Sequence, residues 1–188
     1  NERRIKFLLK RIGFDRIETK IVDDVHLEVI AYKSMDPGER QISPSVRGIR
    51  KDHVARYELA QGRILPSYSV LDAACGVGYG SEILSRKCAH VVGVDISEEA
   101  ISYANEHYKS SNVSFKCLDL KEMKLGDNKF NAITSFETFE HIDFAKDFLR
   151  ICHDLLEDDG QLIFSTPNEK NLPFDETRFR FHIKHYSF

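Results

Sequence analysis

Apolar residues at Ile5, Leu8, Leu9 and Ile12 recur with the spacing of one helix face, and Gly13 suits the end of that helix. Residues 16–22 and 25–32 read as two strands turning at Asp23-Asp24, which predicts a hairpin. Pro37, Gly38, Pro44 and Gly48 predict a loop over 35–48, and Val54, Tyr57, Leu59 and Ala60 a helix over 50–61. From Tyr68 onward the pattern becomes a regular alternation. Apolar strands are predicted over 69–73, 90–94, 113–117, 130–135 and 161–165, and helices over 81–87, 98–108 and 144–156. Asp158-Asp159-Gly160 reads as the turn into the last strand. Strands that are apolar throughout and separated by helices predict a parallel sheet covered on both faces, an α/β doubly wound fold. Residues 166–188, with Pro167, Pro173 and many aromatic and basic residues, read as an irregular segment beside that sheet.

Composition narrows the class. The chain has 188 residues, 41% hydrophobic and 30% charged, enough for one domain with a sizeable core. A net charge of −3 argues against a broad basic surface for duplex nucleic acid. No apolar run approaches the roughly 18 residues of a membrane span. Cys75, Cys88, Cys117 and Cys152 show no C-x-x-C spacing, which speaks against a zinc ribbon or disulfide framework and fits a reducing, cytoplasmic setting.

The first core strand runs into Asp72-Ala73-Ala74-Cys75-Gly76-Val77-Gly78-Tyr79-Gly80. Glycines between a strand and a helix let the backbone approach a ligand and present free N–H groups, although a bare tight turn needs the same residues. Spacing adds weight. Asp95 ends the second core strand, where an acid can accept both hydrogen bonds of a ribose diol, and Asp119 follows the third, within reach of an adenine amino group. Each acid alone also reads as a cap or turn residue. For a dinucleotide the third glycine comes one position early, and Ser81 stands where Gly or Ala is expected. The Asp72 carboxylate is poor company for a pyrophosphate and suits a cationic or zwitterionic ligand such as S-adenosylmethionine.

On these motifs the sequence resembles the class I S-adenosylmethionine-dependent methyltransferases. Residues 70–80 resemble the family's first motif and Val92-Gly93-Val94-Asp95-Ile96-Ser97 its ribose motif. Cys117-Leu118-Asp119-Leu120 resembles the adenine motif and residues 130–137 the fourth-strand motif. The resemblance implies a Rossmann-like sheet of seven strands in the order 3-2-1-4-5-7-6, strand 7 antiparallel. It implies S-adenosylmethionine as cofactor and S-adenosylhomocysteine as product. Cofactor contacts are implied at Arg56, Tyr57, Asp72, Gly76, Gly78, Gly80, Asp95, Ile96, Asp119, Leu120 and Ser135, with Arg56 or Tyr57 on the methionine carboxylate. Gly38-Glu39-Arg40, His53-Val54-Ala55-Arg56-Tyr57, Ser165-Thr166-Pro167-Asn168 and Phe181-His182 are similar to a subgroup associated with sugar and cell-surface polysaccharide assembly. That implies a sugar or glycan-related acceptor.

Methyl transfer to a hydroxyl needs alignment and removal of a proton. Glu137, Glu140 and His141 after the fourth strand, and His182 and His185 in the irregular segment, are the candidates; Glu137, His141 and His182 are taken as catalytic. In a helix, Glu137, Glu140 and His141 would share a face and hold a divalent metal with a later histidine. Metal-dependent RNA 2′-O-methyltransferases resemble the chain there, and Arg178, Arg180 and Lys184 with their aromatic neighbours suit a terminal nucleotide. The acidic balance favours a small acceptor, and no metal is expected. A nucleoside-binding module without catalysis is the reading from another class.

Residues 3–12 and 16–32 resemble the helix and hairpin that the family places after its fifth strand. Ser187-Phe188 reads directly into Asn1-Glu2-Arg3-Arg4 as a helix start, and Met35 as an ordinary chain start. The expectation is a single, circularly permuted domain over 1–188. It comprises a C-terminal-type helix and hairpin (1–34), an N-terminal loop and helix (35–64), a cofactor core (65–166) and a substrate-side segment (167–188). Asn1 and Phe188 would then be neighbours. A tail of a preceding domain, or a swapped segment, would read the same way.

Overall fold

The computed structural model describes residues 16–21, 27–32, 40–179 and 181–187. The chain divides into two compact units, residues 1–42 and 43–188. In the first, β1 (Arg16–Ile21) pairs antiparallel with β2 (Leu27–Tyr32), Arg16 opposite Tyr32 and Ile21 opposite Leu27, which is the predicted hairpin. The predicted helix over 3–12 and the expected meeting of Asn1 and Phe188 fall outside the described residues.

The second unit runs α1 (Lys51–Gln61), β3 (Ser69–Ala73), α2 (Tyr79–Ser85), β4 (His90–Asp95), α3 (Glu98–His107), β5 (Val113–Cys117), β6 (Phe130–Phe136), α4 (Ala145–Leu155) and β7 (Leu156–Ser165). Its five strands form one parallel sheet in the order β5-β4-β3-β6-β7. Counted from β3, that is 3-2-1-4-5, five of the seven strands expected. The apolar run that predicted a two-faced sheet is fully buried: Val70, Leu71, Ala73, Val91, Val94 and Ile133 expose almost nothing. Helix α4 explains one covering layer. Phe148, Cys152 and Leu155 recur at i, i+4 and i+7, and all three are buried against Leu71, Val92, Phe130 and Ile133. Each such large side chain contributes about 1.5–3 kcal/mol by burial. Helix α3 begins where Ser97 accepts a hydrogen bond from the Ala100 N–H at 3.2 Å, with Glu98 and Glu99 in its first turn.

Three local expectations change. Helix α2 starts at Tyr79, two residues early, because Gly78 takes φ 91° and turns the chain straight into the helix. Glu137, Glu140 and His141 do not share a helix face: Glu137 sits at φ 52° ahead of a short 3-10 turn over Phe139–His141. Asp158-Asp159-Gly160 does not separate helix from strand. β7 leaves α4 directly, and the turn residues bulge out of it: Leu156 pairs with Phe130 and Gln161 with Ala132, so six residues of β7 span three of β6.

The central strand β3 has β4 on one side and β6 on the other. Chain connections diverge there, which opens a crevice at the carboxyl ends of the strands.

Candidate functional site

The glycine loop is shaped by what its neighbours need. A Cβ at Gly80 would run into the Tyr57 ring of α1, and one at Gly78 would lie 2.7 Å from Phe115 and 2.8 Å from Ala104. Gly76 differs. Its φ is +56°, and nothing lies within 4 Å of where its Cβ would point. Two glycines serve packing, and the third leaves open space over the loop.

Asp95 ties this loop to β4. Its Oδ2 accepts from the Gly76 N–H at 2.9 Å and its Oδ1 from the Ser97 N–H at 3.0 Å, while Cys75 N donates to Val94 O at 2.9 Å. A carboxylate oxygen has two lone pairs and can accept more than one hydrogen bond. Beside it Ile96 is 66% exposed, a flat apolar surface at the strand end. Asp119 caps the turn over Leu120–Glu122 by accepting from Lys121 N–H at 2.8 Å, and Leu120 is buried.

Asp72 lies beneath the loop, with no exposed surface. Three hydroxyls donate to it: Ser81 at 2.7 Å, Thr134 at 2.8 Å and Tyr57 at 3.3 Å. Burial raises its pKa to about 6, against the pull of those donors. Its carboxylate therefore joins α1, α2 and β6 and does not form the surface of the crevice. Tyr57 spends its hydroxyl there and stands edge-on to Tyr79 and Phe136 at 5.6 and 4.8 Å. Arg56, one residue earlier, lies on the accessible side. Its Nε is 3.4 Å from Glu137 Oε1, and its Nη1 donates to Asp52 O at 3.0 Å.

Glu137 is oriented by the end of β7, where Ser165 Oγ donates to its Oε1 at 2.6 Å. Glu140 is buried; Oε2 accepts from Thr166 Oγ1 at 3.1 Å, and Oε1 has no hydrogen-bond partner. Burial raises its pKa, and the nearby Glu137 charge adds to the effect. Ser135 Oγ is likewise buried without a partner. The segment after β7 is tied to this turn: Ile183 N donates to Glu140 O at 2.6 Å, Tyr186 Oη to Phe139 O at 3.3 Å, and His141 Nδ1 meets Phe181 O at 2.9 Å. One donor atom each from Glu140, His141 and His182 lies within 4.8 Å of the others, a group able to hold a metal ion. The His182 pKa is lowered to about 4 by burial and the neighbouring imidazoles, so the ring is neutral near neutral pH.

The predicted residues thus fall into two sets. The loop glycines, Asp72 and Asp95 converge at β3 and β4; Glu137, His141 and His182 converge between the turn after β6 and the last segment. Glu137 points to Arg56 and Ser165, and His182 takes its place beside Glu140. Sequence reasoning passed over His53, whose Nδ1 lies 3.2 Å from Tyr79 Oη, and over Ser165 and Thr166 as partners of the two glutamates. The Ser165-Thr166-Pro167-Asn168 motif was the available signal.

The Methyltransferase domain family matches residues 71–164, half of the chain. The chain belongs to that family. As a class I S-adenosylmethionine-dependent methyltransferase domain it is similar to the ubiquinone biosynthesis O-methyltransferase of Coxiella burnetii. The two are 36% identical over 101 residues, covering 53% of this chain and 43% of the relative. A probable S-adenosylmethionine-dependent methyltransferase of Mycobacterium tuberculosis is 30% identical over 116 residues, covering 60% and 42%. The chain spans less than half the length of these relatives. Among solved structures, the YcgJ protein from Bacillus subtilis superposes with a TM-score of 0.65 at 19% identity, over 72% of this chain and 64% of that one, which shows the shared fold. Among the described residues of the methyltransferase domain no helix is long and apolar enough to cross a membrane.

Proposed function

We propose that this methyltransferase domain transfers a methyl group from S-adenosylmethionine to a hydroxyl of a sugar or glycan-related small acceptor. The cofactor, when bound, supplies a methyl carbon already activated on a sulfonium. Two features fit it: open space over Gly76 and the unpartnered, buried Ser135 hydroxyl. Asp95 takes the ribose diol, Asp119 and Ile96 the adenine, and Arg56 the methionine carboxylate, while Tyr57 and Asp72 hold α1 against the loop. Leu120 backs the adenine side from within the core.

The observation that carries the acceptor reading is the group Glu140, His141 and His182. The partly exposed His141 and His182 offer ring nitrogens that suit a hydroxyl better than a carbonyl or phosphate, and the buried Glu140 carboxylate, its Oε1 unpartnered, backs them. Glu137, His141 and His182 receive or orient the hydroxyl proton. The O-methyltransferase among the relatives supports transfer to oxygen, and the motifs shared with the glycan-assembly subgroup support a sugar. The test is label transfer from methyl-tritiated S-adenosylmethionine to nucleotide sugars, phenols and RNA 3′ ends. Labelled sugars are expected; label on phenols alone would reassign the acceptor.

A second reading draws on the same group, since two imidazoles and a carboxylate also suit a divalent metal. Transfer to RNA 3′ ends that stops with a chelator and returns with Mn²⁺ would favour it. The proposed setting of the reaction is the cytoplasm.

A further inference from the structure

We infer that His185, which carries no role in methyl transfer so far, is a positioning residue that fixes which nitrogen of His182 bears the proton. The argument is one of donors and acceptors. His185 Nδ1 lies 2.7 Å from the carbonyl oxygen of Leu172, and a carbonyl can only accept. The proton of neutral His185 therefore sits on Nδ1, and its Nε2 is an acceptor. His182 Nδ1 lies 2.7 Å from that Nε2, so the hydrogen bond forms only if His182 Nδ1 carries a proton and donates it. The lone pair of His182 is then on Nε2. A doubly protonated His185 would reverse the second bond. The His185 ring is held in this orientation edge-on to Phe174 and Phe179, at 5.4 and 4.7 Å, with 8% of the residue exposed.

The ring plane is fixed as well as the tautomer. Phe179 stacks on His182 at 5.0 Å with 20° between the planes. The same logic governs the neighbouring ring: His141 Nδ1 lies 2.9 Å from Phe181 O, so its proton is on Nδ1 too. Two imidazoles beside Glu140 are thus set by backbone carbonyls, one directly and one through His185, to present Nε2 as the basic nitrogen. A carbonyl in this supporting place orients an imidazole as a carboxylate would, without adding negative charge. His185 acts on the reaction only through His182. The inference therefore rests on the reading of His182 as an acceptor-side residue.

The tautomer is measurable without any substrate. In the ¹⁵N-histidine spectrum of the wild-type protein at neutral pH, His182 is expected to show a protonated-type shift at Nδ1 and a lone-pair shift at Nε2. A proton on Nε2 overturns the proposal outright. His185→Phe removes the acceptor while keeping an aromatic ring, and should move the His182 proton toward Nε2. The initial rate of label transfer from methyl-tritiated S-adenosylmethionine to a nucleotide-sugar panel should fall about tenfold, with affinity for S-adenosylhomocysteine unchanged. His185→Gln, whose amide can both accept and donate, should keep the tautomer and most of the rate. A tautomer unmoved in a folded His185→Phe protein overturns the positioning role on its own. A tautomer that moves while the rate holds overturns it by removing His182 from the reaction.

Discussion

The two halves of the crevice are built in opposite ways. On the glycine-loop side, the side chains of Asp72, Ser81, Thr134 and Tyr57 satisfy one another, and Gly78 and Gly80 are glycines because Phe115 and Tyr57 occupy the space of a side chain. On the other side, Glu140 keeps a buried oxygen without a partner, and the His141 and His182 imidazoles gather around it. The first side is finished as packing and leaves its backbone to a ligand. The second carries the electrostatic cost of a buried carboxylate that is only partly paired. A binding surface and a reactive surface differ in this way because preorganised backbone needs rigidity, whereas chemistry needs groups held short of satisfaction.

That contrast orders the expected effects. Gly80→Ala should be the largest, a loss of about 3 kcal/mol or more in denaturant unfolding, since the Tyr57 ring is pinned between Tyr79 and Phe136. Gly76→Ala should cost only about 1–2 kcal/mol, the strain of a left-handed alanine, because its Cβ meets nothing. Equal losses at the two positions would erase the distinction between packing and open glycines.

Next comes a pH effect at Asp72. Its folded pKa of about 6 stands above the ordinary aspartate value of 3.8, so the native state holds the proton more tightly than the unfolded chain. Its contribution is full below pH 3.8 and is lost as pH rises to about 6. Measured against Asp72→Asn, the wild type should lose about 2 kcal/mol of relative stability between pH 4 and pH 7. A gap independent of pH would mean that the carboxylate is ionised throughout.

The smallest expected effect has the opposite sign. Glu140→Gln removes a buried charge and keeps an acceptor for Thr166, so thermal unfolding should show a gain of about 1 kcal/mol while methyl transfer falls. A loss of stability would place Glu140 among the structural groups of the first side.

The same contrast explains what could be read from sequence. The glycine loop, Asp95 and the apolar strands announce themselves because their partners are near in sequence or belong to the repeating strand–helix pattern. The Ser97 cap and the Asp119 turn are legible for the same reason. The acceptor side is assembled by pairs such as Glu137–Ser165, Glu140–Thr166 and His141–Phe181, which no local periodicity marks. The left-handed backbone at Glu137 also broke the helical spacing on which the Glu137, Glu140 and His141 grouping depended. Asp72 was legible as a carboxylate but not as a buried one, since its burial depends on Tyr57 from a helix before the sheet.

Central to the account is a donor site held by Asp95 over the glycine loop, and calorimetric titration with S-adenosylhomocysteine tests it most directly. Saturable binding of one molecule per chain is predicted. Asp95→Ala should weaken it by about 1–3 kcal/mol, the worth of hydrogen bonds to a charged acceptor, and Glu140→Gln should leave it unchanged. No heat of binding to the folded wild-type protein, or equal affinity in Asp95→Ala, would contradict it.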